Sequence, residues 1–217
     1  MTQRYYLLLL FFAAAPLFLA AQQLSLFTQY RENATLINPA AIESDFFAYG
    51  QNLSFGLTSR IQWAGFTNAP RTQTIRGSYL NKDLSGITLL LGGHLINDQT
   101  GPTGFTGLYG RLGGVVSADP EFSGLSFALS AGVVQYRVKA SEIRLHDDGD
   151  VIGSQNQSQL FPDVGLGIYY YQMLSGNWDG DYFYAGVSVP QVIGLDLTFQ
   201  DENGEYYTKR IQHFYGA

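Results

Sequence analysis

Residues 125–133, with the sequence LSFALSAGV, decide the fold because their apolar side chains recur at every second position. One side of this stretch carries only apolar residues, namely Leu125, Phe127, Leu129, Ala131 and Val133. The other side carries small residues, namely Ser126, Ala128, Ser130 and Gly132. A period of two is that of a β-strand, whereas an amphipathic helix repeats every 3.6 residues. The stretch therefore predicts a strand with one apolar face.

The same alternation recurs along the chain at residues 53–58, 87–95, 164–168 and 182–189. Clusters of turn-forming residues separate these segments, at 97–102, 147–150, 177–181 and 201–204. Among them, Asn203-Gly204 favours a type I′ hairpin, because both positions of that turn need a positive φ. The pattern predicts about nine strands, many of them near the length that a tilted membrane strand requires.

Composition points to a protein that faces lipid. Charged residues make up 14% of the chain, compared with about 25% in soluble globular proteins, and aromatic residues make up 15%. Beyond the N-terminus, no apolar run approaches the roughly 20 residues that a membrane-spanning helix needs. These features predict an all-β fold, an antiparallel transmembrane β-barrel of the outer-membrane kind. A soluble, aromatic-rich β-sandwich remains the alternative, because individual barrel strands are weak signals.

The N-terminus predicts export. Arg4 precedes an apolar stretch that ends in Ala20-Ala21, just before the polar Gln22 and Gln23. This order is typical of a signal peptide, here residues 1–21, and a retained membrane anchor is the alternative. The chain has no cysteine, which excludes disulfides, thiolate metal sites and a lipid-modified N-terminal Cys. Attachment to a membrane would therefore depend on the barrel itself.

The titratable residues do not form a recognisable catalytic set. The three histidines are His94, His146 and His213, and none has a neighbouring nucleophile or metal-ligand pattern. His94 lies on the small face of its strand and is interpreted as a lumen residue. The acidic loop 147–150 lacks the spacing of a calcium loop, although a calcium site there is an alternative. We expect no enzymatic activity, no cofactor and no metal site.

The overall charge argues against nucleic acid as a partner. The formal net charge is −6, and the sequence pI is about 4.9. Binding to phosphate backbones depends on clustered Lys and Arg residues, which this chain lacks. We therefore expect no nucleic-acid partner.

One stretch has an order of residues that neither helix nor strand propensity explains. Residues 60–74 read RIQWAGFTNAPRTQT. One interpretation is a tight strand connection with Trp63 and Phe66 as interfacial aromatics. The other is that this turn and residues 22–40 form a contact surface for a partner or plug the lumen. Arg76 shares a strand face with Thr74 and Ser78, so we expect it to point into the lumen.

Five places in the chain resemble the PorP/SprF family of outer-membrane proteins associated with the type IX secretion system. The residues are Gln29-Tyr30 with Asn38-Pro39-Ala40; Arg60, Gln62, Trp63, Gly65, Phe66, Ala69 and Pro70; Asn97-Asp98 with Gly101; Pro162-Asp163 with Gly165 and Gly167; and 186–190. The second group is the most specific. His213-Phe214-Tyr215 also fits the start of a further family strand, so the resemblance extends from Gln22 to the C-terminus.

The resemblance implies an outer-membrane component of the secretion and gliding machinery that binds, delivers or anchors secreted cargo. Its partners would be other machinery proteins, cargo carrying a C-terminal sorting domain, and outer-membrane lipid. The candidate contact or motif residues are Gln29, Tyr30, Asn38, Pro39, Arg60, Gln62, Trp63, Gly65, Phe66, Ala69 and Pro70. A porin-like solute channel is the alternative function.

We expect three regions: a signal peptide at 1–21, a periplasmic or plug-like segment at 22–46, and the barrel at 47–217. The family's barrels generally continue for several more strands, whereas this chain ends at Ala217. The expectation is therefore either a barrel truncated at its C-terminus or one that closes with fewer strands.

Overall fold

The computed structural model describes residues 31–81, 86–139, 157–174, 181–200 and 206–216. The predicted signal peptide, residues Gln29 and Tyr30, His146 and the loop 147–150 lie outside this part. Two short helices come first, α1 (Ala34–Ile37) and α2 (Ser44–Tyr49). Eight strands follow: β1 (Leu53–Ile61), β2 (Arg71–Asn81), β3 (Ile87–Thr100), β4 (Thr103–Val116), β5 (Ser123–Val138), β6 (Gln157–Met173), β7 (Tyr182–Gln200) and β8 (Tyr206–Gly216).

The strands form one antiparallel sheet in which each strand pairs with the next along the chain, from β1 to β8. The predicted all-β, antiparallel fold is confirmed, with eight strands in the described residues instead of about nine. The predicted turn at 97–102 is shorter than expected, because Asn97 and Asp98 pair with Thr106 and Phe105 and extend β3. Only residues 101 and 102 separate β3 from β4, and Gly101 supplies the positive φ of 56°.

The predicted final hairpin has the expected pairing. Gln200 pairs with Tyr206, and Asp196 pairs with Arg210. The turn residues Asn203 and Gly204 themselves lie outside the described part. The register between β7 and β8 shifts on either side of Gln191, next to Pro190. Proline has no N–H to donate to a neighbouring strand, so an irregularity is expected there.

The sheet has an exposed face that is mostly apolar and a covered face that is rich in polar and small side chains. In β5 the burial alternates at every residue from Gly124 to Ala131, as the sequence predicts. Large exposed side chains on the exposed face include Phe55, Leu57, Ile75, Leu108, Leu112, Phe127, Leu129 and Val187. Buried side chains on the covered face include Ser54, Thr74, Arg76, Ser78, Arg111, Ser126, Ser130 and Asp163. A water-soluble sheet normally has the opposite arrangement.

The strand register aligns the apolar side chains of the exposed face across the sheet. One row runs through Leu53, Tyr79, Leu91, Leu112, Leu129 and Leu166. A second row, nearer the hairpin between β1 and β2, is mainly polar and runs through Ser59, Gln73, Asn97, Thr106 and Gln135. The apolar band is therefore bordered by polar residues on this side.

Residues 31–50 lie against the covered face. Phe46 and Phe47 of α2 belong to the main buried cluster together with Leu90, Val115 and Tyr171 of the sheet. The predicted boundary between residues 46 and 47 falls within α2, and the division into regions stays a prediction. Within the described residues, β1 and β8 are not paired with each other. None of the described helices has the length and apolar character to cross a membrane.

Candidate functional site

A buried ion cluster centred on Glu43 lies on the covered face of the sheet. Its carboxylate accepts hydrogen bonds from Ser78 Oγ at 2.9 Å, Thr35 Oγ1 at 3.2 Å and Arg76 Nε at 3.3 Å. Arg111 Nη2 lies 3.8 Å from the same carboxylate. Glu43 is only 4% exposed. Buried carboxylates need both opposite charge and hydrogen bonds, and Glu43 has both.

Arg111 holds the backbone of the same segment. Its Nη1 donates to Pro39 O at 3.0 Å and to Ala41 O at 2.7 Å, and its Nη2 donates to Ser78 Oγ. The five N–H groups of a guanidinium form a rigid fork, so one arginine can satisfy several carbonyls and a carboxylate together. Arg111 therefore connects the N-terminal segment to β4.

A second arginine secures the segment from β2. Arg76 Nη2 forms an ion pair with Glu32 at 3.3 Å, in addition to its bond with Glu43. Ser44 Oγ also donates to Glu32 at 3.0 Å. As predicted, Arg76 lies on the same face as Thr74 and Ser78, and this is the covered face.

The Asn38-Pro39 motif sits in a recess formed by two glycines of neighbouring strands. Asn38 Nδ2 donates to Ile168 O at 3.0 Å, and Asn38 Oδ1 accepts from Ala40 N at 2.9 Å. A Cβ added at Gly167 would lie 3.0 Å from both Ala40 N and Pro39 Cδ, and one at Gly186 would lie 2.9 Å from Asn38 Nδ2. Three motifs that are distant in sequence therefore meet here.

We expect Gly167→Ala to destabilise the protein by about 1–3 kcal/mol, because the new methyl group would overpack the recess that receives Asn38 and Pro39. Urea unfolding followed by tryptophan fluorescence measures this loss. The matched control is Gly110→Ala, since a Cβ at Gly110 would come no closer than 4.0 Å to Ala131 O. Equal unfolding midpoints for the two variants would contradict close packing of Gly167 against Asn38 and Pro39.

A second polar group lies on the covered face further along the sheet. Tyr109 Oη donates to Asp163 Oδ2 at 2.8 Å, and the His94 ring stacks on Tyr109 with centroids 4.7 Å apart. The register places Arg76, His94, Tyr109 and Asp163 in one row across β2, β3, β4 and β6. His94 thus lies on the covered face, and its interpretation as a lumen residue stays a prediction.

A cavity of about 230 Å³ lies between the N-terminal segment and strands β6 and β7. Its walls include Ile37, Ile42, Phe47 and Tyr169. Arg31 lines it as well, donating to Tyr184 Oη at 2.7 Å with its guanidinium 5.2 Å from the centre of the Tyr184 ring. Within the described residues, no group of three or more His, Asp or Glu side chains could hold a metal ion.

The block around Trp63 forms the connection between β1 and β2, and its two large aromatics face outward. Trp63 is 71% exposed and Phe66 is 76% exposed. Trp63 has a φ of 53°, a left-handed conformation that is uncommon for a bulky residue. Gln62 N donates to Pro70 O at 2.9 Å, closing the connection, and Ala69 is buried beneath it.

Polar residues flank this connection. The Arg60 guanidinium lies 2.9 Å from the side-chain amide of Gln62. Arg71 starts β2 and is exposed, directly opposite Ile61 in the register. Gly65 has a φ of 105°, which only glycine adopts readily.

The predicted site residues therefore fall in two places. Asn38 and Pro39 are buried against the covered face of the sheet. The other described site residues belong to β1 or to the connection after it, where Trp63, Gly65 and Phe66 are exposed. No hydrogen bond between described residues joins the two sets. Sequence reasoning missed Glu43 and Arg111. Each is a lone charge in a long uncharged stretch, residues 33–44 and 99–118 respectively, and this is the signal that could have identified them.

Comparison with known proteins identifies the family. The family model for the type IX secretion system membrane protein PorP/SprF matches residues 19–217. Neither the curated proteins nor the solved structures contain a match to the chain. The match covers most of the sequence, including the buried Asn38-Pro39 motif and the connection between β1 and β2 that contains Trp63. It confirms the resemblance to this family that these motifs indicated. The chain is thus a member of the PorP/SprF family of type IX secretion system membrane proteins.

Proposed function

We propose that this protein is an outer-membrane β-barrel that binds proteins exported by the type IX system and delivers them or retains them at the cell surface. The observation that carries the membrane assignment is the reversed sheet, with apolar side chains exposed and polar ones covered. Leu57 on the exposed face is 78% exposed, whereas Arg76 on the covered face is 8% exposed. Such a sheet suits lipid outside and a polar interior.

The proposed activity is binding and not chemistry. Arg76, Arg111, Ser78 and Ser188 of the covered face bond to residues 31–50, so these side chains are committed to holding that segment. The described structure does not favour a passive solute channel, because residues 31–50 occupy the face that would line the channel. Gliding machinery and cargo with a C-terminal sorting domain are the partners proposed from family membership.

We place the cargo contact at the exposed connection between β1 and β2. Residues 31–50 lead into β1 at one end of the sheet, and this connection lies at the other end. The longest connection, residues 139–156, leaves the sheet at the same end as the Trp63 connection, whereas the shorter 117–122 lies opposite. Outer-membrane barrels have short periplasmic turns and longer extracellular loops. Trp63 and Phe66 would then face the cell exterior.

We expect Trp63→Ala combined with Phe66→Ala to reduce cargo at the cell surface at least about tenfold, because exposed aromatics at binding hot spots often contribute about 2 kcal/mol or more each. Surface labelling of cargo in intact cells measures this. The matched control is Phe55→Ala with Leu57→Ala, which removes two equally exposed side chains from the lipid face. Cargo loss in both pairs, or loss of the heat-modifiable folded barrel, would instead support a purely structural role.

Affinity isolation of the tagged protein from detergent-solubilised outer membranes, followed by mass spectrometry, tests the proposed function as a whole. We expect secretion components or a cargo with a C-terminal sorting domain to co-purify, and the Trp63 and Phe66 variant to lose the cargo. Recovery of the folded barrel alone at normal abundance would overturn the cargo-binding proposal. Recovery of the mature chain from culture medium without detergent would overturn the membrane assignment.

A further inference from the structure

We propose that residues 31–49 are a displaceable plug, latched by Glu43 to Arg76 and Arg111, and that its displacement opens a passage for small anions. The proposal rests on the membrane barrel proposed above. It goes beyond cargo binding, because it assigns the interior a transport activity of its own. Four features of the described residues support it: how the segment is attached, the junction at which it can turn, what lies beneath it, and which charges it would leave behind.

The segment is attached through bonds that water or ions can replace. It contacts the wall through Glu43, through the Pro39 and Ala41 carbonyls and through Ile37 O, which accepts from Ser188 Oγ at 2.9 Å. Water or ions can take over these donors and acceptors once the segment leaves the face, so the net cost of each exchange is smaller than the strength of the bond itself. Ala40, Ile42, Phe46 and Phe47 add apolar contacts with the main buried cluster, up to the junction with β1, and displacement of residues 31–49 would break these contacts as well.

That junction has the geometry of a hinge. α2 ends at Tyr49, and the next residue, Gly50, has a φ of 64° and donates its N–H to Phe46 O. Glycine adopts this left-handed conformation and its alternatives at little cost, so residues 31–49 can change direction there. Rotation about this point would move the segment without breaking any strand pairing.

One row of the wall beneath the segment consists of small residues together with Arg111, whereas Leu90, Val115 and Tyr171 form a bulkier, apolar part of the wall beside α2. The register places Ser54, Ser78, Gly92, Arg111, Ser130 and Gly165 in one row across β1 to β6. In a small barrel the inward-facing side chains of the strands normally fill the interior, whereas here residues 31–49 occupy the space on the covered face. Removal of the segment would therefore open space along the row of small residues and Arg111.

The charges left behind favour anions. Residues 31–49 contain one arginine and three carboxylates, Glu32, Glu43 and Asp45. Glu32 and Glu43 are the acids that pair with Arg76 and Arg111. Displacement would leave both arginines facing the passage, and rings of Arg or Lys select anions in pores.

Planar-bilayer recording of the purified protein in potassium chloride tests the proposal. We expect the wild type to conduct rarely and Glu43→Gln to conduct at least tenfold more often, with a reversal potential that favours chloride. The matched control is Asp45→Asn, which removes the same charge from the segment without affecting the bonds to Arg76 and Arg111. It should behave as the wild type.

A reversible lock tests whether movement of the segment causes the conductance. The chain has no cysteine, and Thr58 Oγ1 donates to Asn33 Oδ1 at 3.2 Å, so Asn33→Cys with Thr58→Cys introduces one pair across the interface. In the Glu43→Gln background, oxidation should abolish conductance and dithiothreitol should restore it.

Two results would overturn the proposal: a folded, heat-modifiable Glu43→Gln protein as silent as the wild type, or a conductance that the oxidised pair does not block. Either would leave the cargo role intact, since that role is measured by surface retention. Failure of the wild-type protein to insert into bilayers would count instead against the barrel itself.

Discussion

Arg111→Ala should lower the free energy of unfolding by about 3–5 kcal/mol, the usual loss when one member of a buried ion pair is removed. The side chain of Arg111 is 3% exposed, and that of Glu43 is 4% exposed. Truncation would leave the Pro39 and Ala41 carbonyls without their donor and Glu43 without one of its two cations. Urea unfolding in lipid vesicles, followed by tryptophan fluorescence, measures the change.

The matched control for this prediction is Arg137→Ala. Arg137 is exposed and donates to Thr106 Oγ1 at 3.4 Å, so its loss should change stability by less than about 0.5 kcal/mol. A second comparison is the double variant Glu43→Leu with Arg111→Met. In the double variant no carboxylate is left without its cation, but of its two carboxylate partners Arg76 keeps only Glu32, and the Pro39 and Ala41 carbonyls still lose their donor, so we expect a stability between those of Arg111→Ala and the wild type. Equal losses for Arg111→Ala and Arg137→Ala would contradict the role assigned to the cluster.

Leu129→Arg should destabilise the membrane-inserted protein by about 2–4 kcal/mol, the cost of an arginine that faces lipid near the middle of the bilayer. Leu129 is 55% exposed and lies between Leu112 and Leu166 in the apolar row. In a soluble β-sandwich the same substitution would place the charge in water at little cost. Folding yield into vesicles of the outer-membrane lipid type, with urea titration, measures the effect.

Gln135→Arg is the matched control for Leu129→Arg, because both residues point to the exposed face of β5. Gln135 belongs to the polar row, where its Nε2 donates to Ser158 Oγ at 3.0 Å. Near a membrane interface the cost of arginine falls to about 0–1 kcal/mol. A large difference between the two variants supports the membrane band. Similar, small effects at both positions would favour the soluble alternative.

Much of the fold was predictable, because neighbouring residues decide both where a strand forms and to which face of the sheet each side chain points. Alternation with a period of two predicted the exposed and covered faces of β1, β3, β5, β6 and β7, and the placement of Arg76. The prediction of a turn at residues 97–102 was less accurate. Asn97 and Asp98 favour turns locally, but in the structure they pair with β4 and belong to β3. Cross-strand pairing can override local turn propensity in this way.

The candidate site was predictable only in part. The unusual order of residues 60–74 indicated a strand connection or a contact surface. The structure adds that Trp63 and Phe66 are exposed in the connection between β1 and β2. The motifs around Asn38, Gly167 and Gly186 were recognised one by one, but nothing in their spacing indicates that they touch. The closed barrel and the cargo contact remain predictions that the experiments above address.

By itself, the sequence determined the strand period, the apolar and polar faces and membership of the family, because each depends on residues close together in the chain or on motifs read in order. Only the tertiary structure decided that Glu43 meets Arg76 and Arg111, and that Asn38 fits against Gly167 and Gly186. These contacts join residues that are far apart in the chain, and they depend on strand order and register across the whole sheet. A buried carboxylate is stable only beside cations and hydrogen-bond donors, and the fold determines which residues these are.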